Sequence, residues 1–173
     1  MRPTAEELKR ACPDVEQAVI SGFLERLPAR YFESFSNDAM VEHFRALARL
    51  SPEAPVELIV YPVPDSAVSV TVVSFDYPSV FSLITGILSA LGASIQAGNV
   101  FTYRPSPPAT QLSANRGTAH RYRRRPTKVD ESRRRRIVDH FEVELHSEMA
   151  PELWEKELRR RTSDVFRLLE KGT

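Results

Sequence analysis

The sequence predicts an α+β fold in which helices pack on a four-stranded antiparallel sheet and a helical arm comes first. Three observations point there. Apolar residues recur at helical spacing as far as residue 50, and from Val56 the period drops to two. After that, the stretches follow one another as strand, strand, helix, strand, strand, helix, the pattern of a two-layer α+β sandwich. With 173 residues, 42% of them hydrophobic and 27% charged, the chain has the composition of one globular domain plus an attachment.

Thr4 and Glu7 have the spacing of a capping box, which opens a short helix ending at Pro13. Asp14 is placed to cap a second helix, whose Val15, Val19, Phe23 and Leu27 share a face flanked by Ile20 and Leu24; Pro28 stops it. Ser36 is the expected N-cap of a third helix, with Asp38 near its positive end and a stripe of Met40, Val41, Phe44, Leu47 and Ala48. The two prolines of SPEAP (51–55) end the helical region, so residues 1–55 form the arm and 56–173 the sandwich.

VELIVY (56–61) reads as a strand, 62–66 as a turn and AVSVTVVSF (67–75) as a second strand, with Val68, Val70 and Val72 on one face. Val80, Phe81, Ile84, Ile87, Leu88 and Leu91 make one face of a helix, and Gly92 suits its left-handed C-terminus. A third strand covers about 94–103, where Gly98 suggests a bulge. A fourth begins at Ile137 with Phe141, Val143 and Leu145 facing inward. Pro151 opens the last helix, whose inward stripe is Leu153, Trp154, Leu158, Val165, Phe166 and Leu169. Right-handed crossovers favour a ferredoxin-like, split βαβ arrangement. No strand follows the final helix, so 56–61 is expected to fill the vacant edge, giving the order (56–61)-(67–75)-(137–145)-(94–103).

Charge is segregated. Residues 1–103 carry 7 basic and 12 acidic side chains, 104–136 carry 11 and 2, and 137–173 carry 6 and 9. A basic insert thus interrupts an otherwise acidic body, which excludes a uniformly basic nucleic-acid binder. Cys12 is the only cysteine, so neither an intrachain disulfide nor a thiolate zinc site is available. The charged start MRPTAEELKRAC lacks a signal peptide's apolar core, and a cytoplasmic protein is expected. The 27 uncharged residues from Tyr77 to Tyr103 could span a bilayer by length, but Pro78, three glycines and many polar residues argue against a membrane role.

VSVTVVSFDYPSVFSLITGILSALGASIQAGNVFTYR followed by IVDHFEVEL resembles an ACT domain, the small-molecule-sensing module of amino-acid metabolism. It is most similar to the ACT regions of protein-PII uridylyltransferases and glutamine synthetase adenylyltransferases. The likeness is carried by Asp76-Tyr77-Pro78 with Phe81, by Ile95 with Val100-Phe101-Thr102, and by Ile137-Val138-Asp139 with Phe141 and Val143. The stretch 31–47 resembles the helix that precedes those regions. The match spans roughly 30–104 and 136–171. It departs from the family at Ser79, where the family has a glycine, and in the length of the 104–136 insert.

The resemblance implies a ferredoxin-like fold and a non-catalytic regulatory module, not an enzyme. Such a module binds an amino-acid effector, glutamine by likeness, and controls a nucleotidyltransferase of nitrogen metabolism. That enzyme would be either the rest of a longer chain or a separate partner. The implied effector site comprises Asp76, Tyr77, Pro78, Ser79 and Val80 at a helix N-terminus, with Ser94, Ile95 and Asn99 on the adjoining strand. The bland alternative is that Asp76 and Ser79 only cap the helix. Family sites of this kind commonly form between two copies, and the stripe Thr71, Val73 and Phe75 fits a homodimer joined through the sheet.

A second reading is a dimeric scaffold serving as an interaction adaptor. Its anionic partner would meet Arg121, Tyr122, Arg123, Arg124, Arg125, Arg133, Arg134, Arg135 and Arg136. With only Tyr122 to stack on a base, an acidic protein surface suits this run better than nucleic acid. No cofactor is expected. His140, Glu142, Glu144 and His146 alternate along one strand face, expected to be solvated and too far apart to converge on a metal; His43 is expected on a helix flank and His120 in the insert, neither with an evident partner. No Gly-Ser turn with Asp-x-Asp, no His-Asp motif, no P-loop and no hydrolase elbow is present.

Overall fold

A computed structural model describes residues 2–63, 67–104, 134–146 and 149–172. The arm consists of α1 (Ala5–Ala11), α2 (Gln17–Arg26), α3 (Ala29–Ser34) and α4 (Asn37–Arg49). It is followed by β1 (Val56–Val63), β2 (Ala67–Phe75), α5 (Val80–Ala90), β3 (Ala93–Thr102), β4 (Arg136–Leu145) and α6 (Pro151–Lys171). The expected capping box is present at Thr4 and Glu7, and Ser36 caps α4 through the Ala39 amide.

Some boundaries differ from expectation, each for a local reason. Helix α2 starts three residues after Asp14 and has Glu16 at its N-cap without a side-chain hydrogen bond. Pro28 stops α2 but also begins the unexpected α3, because its fixed φ of −69° suits a helix entrance. The register shift in β3 falls between Ile95 and Ala97, not at Gly98, whose bare backbone instead accommodates the Phe141 ring. In α6, Leu153 is 55% exposed, while Thr162 takes a place in the buried stripe.

All strand pairs are antiparallel and the sheet order is β1-β2-β4-β3, as the vacant-edge argument expects. Helices α5 and α6 lie over one face: Phe81 meets Phe141, Trp154 Nε1 donates to the Leu91 carbonyl at 3.0 Å, and Arg159 Nη1 donates to the Leu58 carbonyl at 2.8 Å.

The other face is where the two-layer expectation fails. Thr71, Val73 and Phe75 are buried, and the layer that packs on their side of the sheet is the chain's own arm. Tyr31 and Phe35 stack edge-on against Phe101 at 5.3 and 5.6 Å, and Phe35 also meets His140. Inside the arm, Phe23 packs against Tyr31, Phe32 and Phe44. The arm is a third layer because both faces of β2 are apolar, and a face rich in Val, Phe and Tyr must be removed from water. The burial that suggested a dimer through the sheet is thus supplied within one chain. Among the described residues, no helix is long and apolar enough to cross a membrane.

Candidate functional site at the first strand–helix turn

β2 ends at Phe75 and α5 begins at Val80, leaving Asp76–Ser79 to reverse the chain. Ser79 does this in the left-handed region (φ 60°, ψ 15°), where it is the one non-glycine residue with positive φ among those described. Its side chain makes no capping hydrogen bond. Serine therefore adopts the conformation that glycine would take at little steric cost. Ser79→Gly is expected to stabilise the fold by about 0.5–1 kcal/mol, the relief of left-handed strain less the added backbone entropy of glycine. An unchanged or lower urea midpoint would refute the strain.

The rest of the turn is fastened to the ends of β4 and α6. The Asp76 amide donates to the Arg135 carbonyl at 2.9 Å, and its carboxylate meets Arg135 Nε at 3.3 Å. Neither Asp76 nor Ser79 caps α5 by a side-chain bond, so the capping alternative does not describe this turn. Tyr77 packs edge-on against Phe166, and its hydroxyl donates to Glu170. Glu170 also accepts both Arg134 terminal nitrogens at 2.9 and 2.8 Å, while that guanidinium lies 3.7 Å above the Phe75 ring centroid. Burial, followed by the bond to Glu170, raises the Tyr77 pKa well above its ordinary value. Val80 is core.

Asp139 adds an ionisable group that the sequence reading placed in a motif but assigned no role. It lies on the face beneath α5, in register with Val72 and Val100, and is 1% exposed. Both carboxyl oxygens are buried without a hydrogen-bond partner. Desolvation pushes its pKa up to about 7; the Asp76 charge adds to the rise and the Phe101 backbone amide opposes it. The signal was available, since Asp139 shares the inward alternation of Phe141 and Val143.

The remaining effector residues do not join this group within one chain. Ser94 pairs with Glu144, whereas Phe75 pairs with Arg136 at the other end of β4, a separation of roughly 26 Å at the usual strand rise. Ile95 is at that far end too. Asn99 is opposite His140, on the arm's side of the sheet.

Of the arginine run, Arg121, Tyr122, Arg123, Arg124, Arg125 and Arg133 lie outside the described residues. Arg134 is tied to Glu170, Arg135 faces Asp76, and Arg136 belongs to β4 and is buried under the arm, not displayed on a surface. His43, expected to sit on a helix flank, is also buried: its Nδ1 is 2.8 Å from the Tyr31 hydroxyl. Burial lowers its pKa to about 4, with nearby His140 acting in the same direction. His140, expected to be solvated, has its Nδ1 3.0 Å from Thr71 Oγ1. His43 keeps step with Met40, Phe44 and Leu47, a helical spacing that could have placed it inward.

Compared with known protein families and with curated proteins, the chain matches none. Among the described residues, no three His, Cys, Asp or Glu side chains are grouped to hold a metal ion.

Proposed function

We propose that this chain is a non-catalytic regulatory module of the ferredoxin-like ACT type, which binds an amino acid and controls a nucleotidyltransferase of nitrogen metabolism. Glutamine is the effector that the resemblance implies. The observation carrying this reading is the sheet order β1-β2-β4-β3 with α5 and α6 on one face. In that frame β1 stands where the usual last strand would be, and the Asp-Tyr-Pro turn opens α5. Retention of the left-handed backbone at Ser79, where the family has glycine, also supports it.

Because Ser94 and Ile95 are far from Asp76 in one copy, the effector would lie between the turn of one copy and the β3 edge of another. Its carboxylate would approach the uncapped N-terminus of α5, and its ammonium would compete with Arg135 for Asp76. That pair is half-exposed at 3.3 Å, so its displacement costs about 1 kcal/mol or less.

The test is a thermal-shift series with each of the twenty amino acids, repeated on Asp76→Ala and accompanied by sedimentation. One or two amino acids, glutamine among them, should raise the melting temperature by roughly 5–10 °C near a hundredfold excess over Kd, with a move toward dimer. The variant should lose most of that gain. A flat response to all twenty would sink the sensing role.

A further inference from the structure

We infer that the cleft between the arm and β4 is a binding site for a small molecule bearing one oxyanion group, a carboxylate or a phosphoryl. It is separate from the α5 turn and does not rest on the effector reading. The cleft, of about 630 Å³, is bounded by the connection from α1 to α2, by the last turns of α4 and by Arg136. This size falls within the range of sites for metabolites.

Arg136 carries the argument. It is 5% exposed, its Nε is buried without a hydrogen-bond partner, and no carboxylate among the described residues pairs with it. Its neighbourhood makes the charge harder to hold. Buried Arg26 lies close enough that the two cations repel, and the buried Tyr103 hydroxyl beside them is a neutral neighbour that supplies no counter-charge. A guanidinium removed from water without a counter-charge is costly, and an anion delivered to it recovers much of that cost. Two more guanidiniums line the same cleft. Arg45 is exposed and has no ion-pair partner among the described residues, and Arg49 bonds to Glu57 at 2.8 Å.

The other lining residues limit the ligand. Asp14 and Glu16, both exposed, would repel a second negative group, so a polyanion is disfavoured. Val15, Val19, Ala48 and Leu50 supply apolar wall for a short carbon skeleton. The class is therefore a small molecule with one anionic end.

Cys12 lines the cleft and is the chain's only cysteine, which makes it a single-site reporter. The full chain is titrated with inorganic phosphate, with acetate and with triphosphate to about 50 mM, enough to fill a millimolar site, at ionic strength held constant with chloride. Melting temperature and the rate of Cys12 alkylation by neutral iodoacetamide are followed. Phosphate or acetate should raise the first and slow the second at least threefold, and triphosphate should do less. A response to phosphate alone assigns a phosphoryl ligand, and one to acetate a carboxylate.

Arg136→Met should abolish both effects while melting no lower than the unliganded parent, since it removes an unpaired buried charge. Arg45→Met, an exposed change that leaves folding intact, should weaken them severalfold. An unchanged alkylation rate in the parent, or an undiminished response in both variants, overturns the inference. A neutral amino acid that still stabilises Arg136→Met would be acting at the turn, which separates failure here from failure there.

Discussion

Asp139→Asn is expected to stabilise the protein by roughly 3–4 kcal/mol above pH 7 and by almost nothing near pH 4, a difference set by one proton. The wild-type carboxyl titrates near the usual 3.8 when unfolded, and burial pushes it up to about 7 when folded. Between those values the folded state holds a proton that the unfolded state has lost, so stability falls as pH rises, by about 1.4 kcal/mol per pH unit. Below the lower value both states are protonated, and above the upper both are ionised, so the slope vanishes at either end.

His43 acts in the opposite sense. Its folded value near 4 lies below its usual 6.5, so it favours the fold at neutral pH and withdraws that support as pH falls through the same window. In the wild type His43 therefore offsets the Asp139 slope from pH 4 to 6.5, and His140, also lowered by burial, adds to that offset. The asparagine variant, freed of Asp139, should become more stable with rising pH there. Urea unfolding at half-unit pH steps reads both curves. If they run parallel, Asp139 is ionised in the fold with compensation that its surroundings do not show.

Phe101→Ala should cost about 3–5 kcal/mol, the range for deleting a fully buried phenyl ring. Phe101 is completely buried and is the ring on which Tyr31 and Phe35 both close, with Arg30 stacked 5.0 Å from its centroid. The loss would fall at the joint between arm and sheet. Trp154, the only tryptophan, lies on the opposite face and reports the helix layer. Since the sheet belongs to both layers, tryptophan emission and far-ultraviolet dichroism should move together to a lower urea midpoint. A drop of under 1 kcal/mol, or an unmoved tryptophan transition, would mean that the arm rests on the sheet without supporting it.

The elements on which the fold depends were legible because short-range rules decide them. Two-residue alternation in 67–75, the helical stripe from Val80 to Leu91 and the short turn joining 56–61 to 67–75 were enough to order the sheet. What escaped was the covering of the second face. Thr71, Val73 and Phe75 showed that something must lie on them, but alternation within a strand cannot distinguish a second copy from a distant stretch of the same chain. Tyr31 and Phe101 are 70 positions apart and meet only in three dimensions.

The turn was found for its Asp-Tyr-Pro spelling, but its neighbours were not. Arg134 and Arg135 read as members of a basic run that would meet an anionic partner, and only the approach of Glu170 and Asp76 gives them partners within the chain. Likewise, nothing local in the sequence distinguishes Arg136 from the arginines before it. Its burial follows from standing opposite Phe75, beneath the arm.

The sheet order β1-β2-β4-β3 also governs how the chain can assemble. Newly made β3 has no ladder partner of its own, because both β2 and β3 bond to β4, which is translated last of the four. Until residues 136–145 slot between them, the β1–β2 hairpin and β3 remain separate pieces with open edges. The central strand is thus a keystone. Synthesis as far as the end of β3 leaves Phe101 and the arm's aromatic rings without the platform that joins them, and long-range pairing of this kind closes slowly compared with local helix formation.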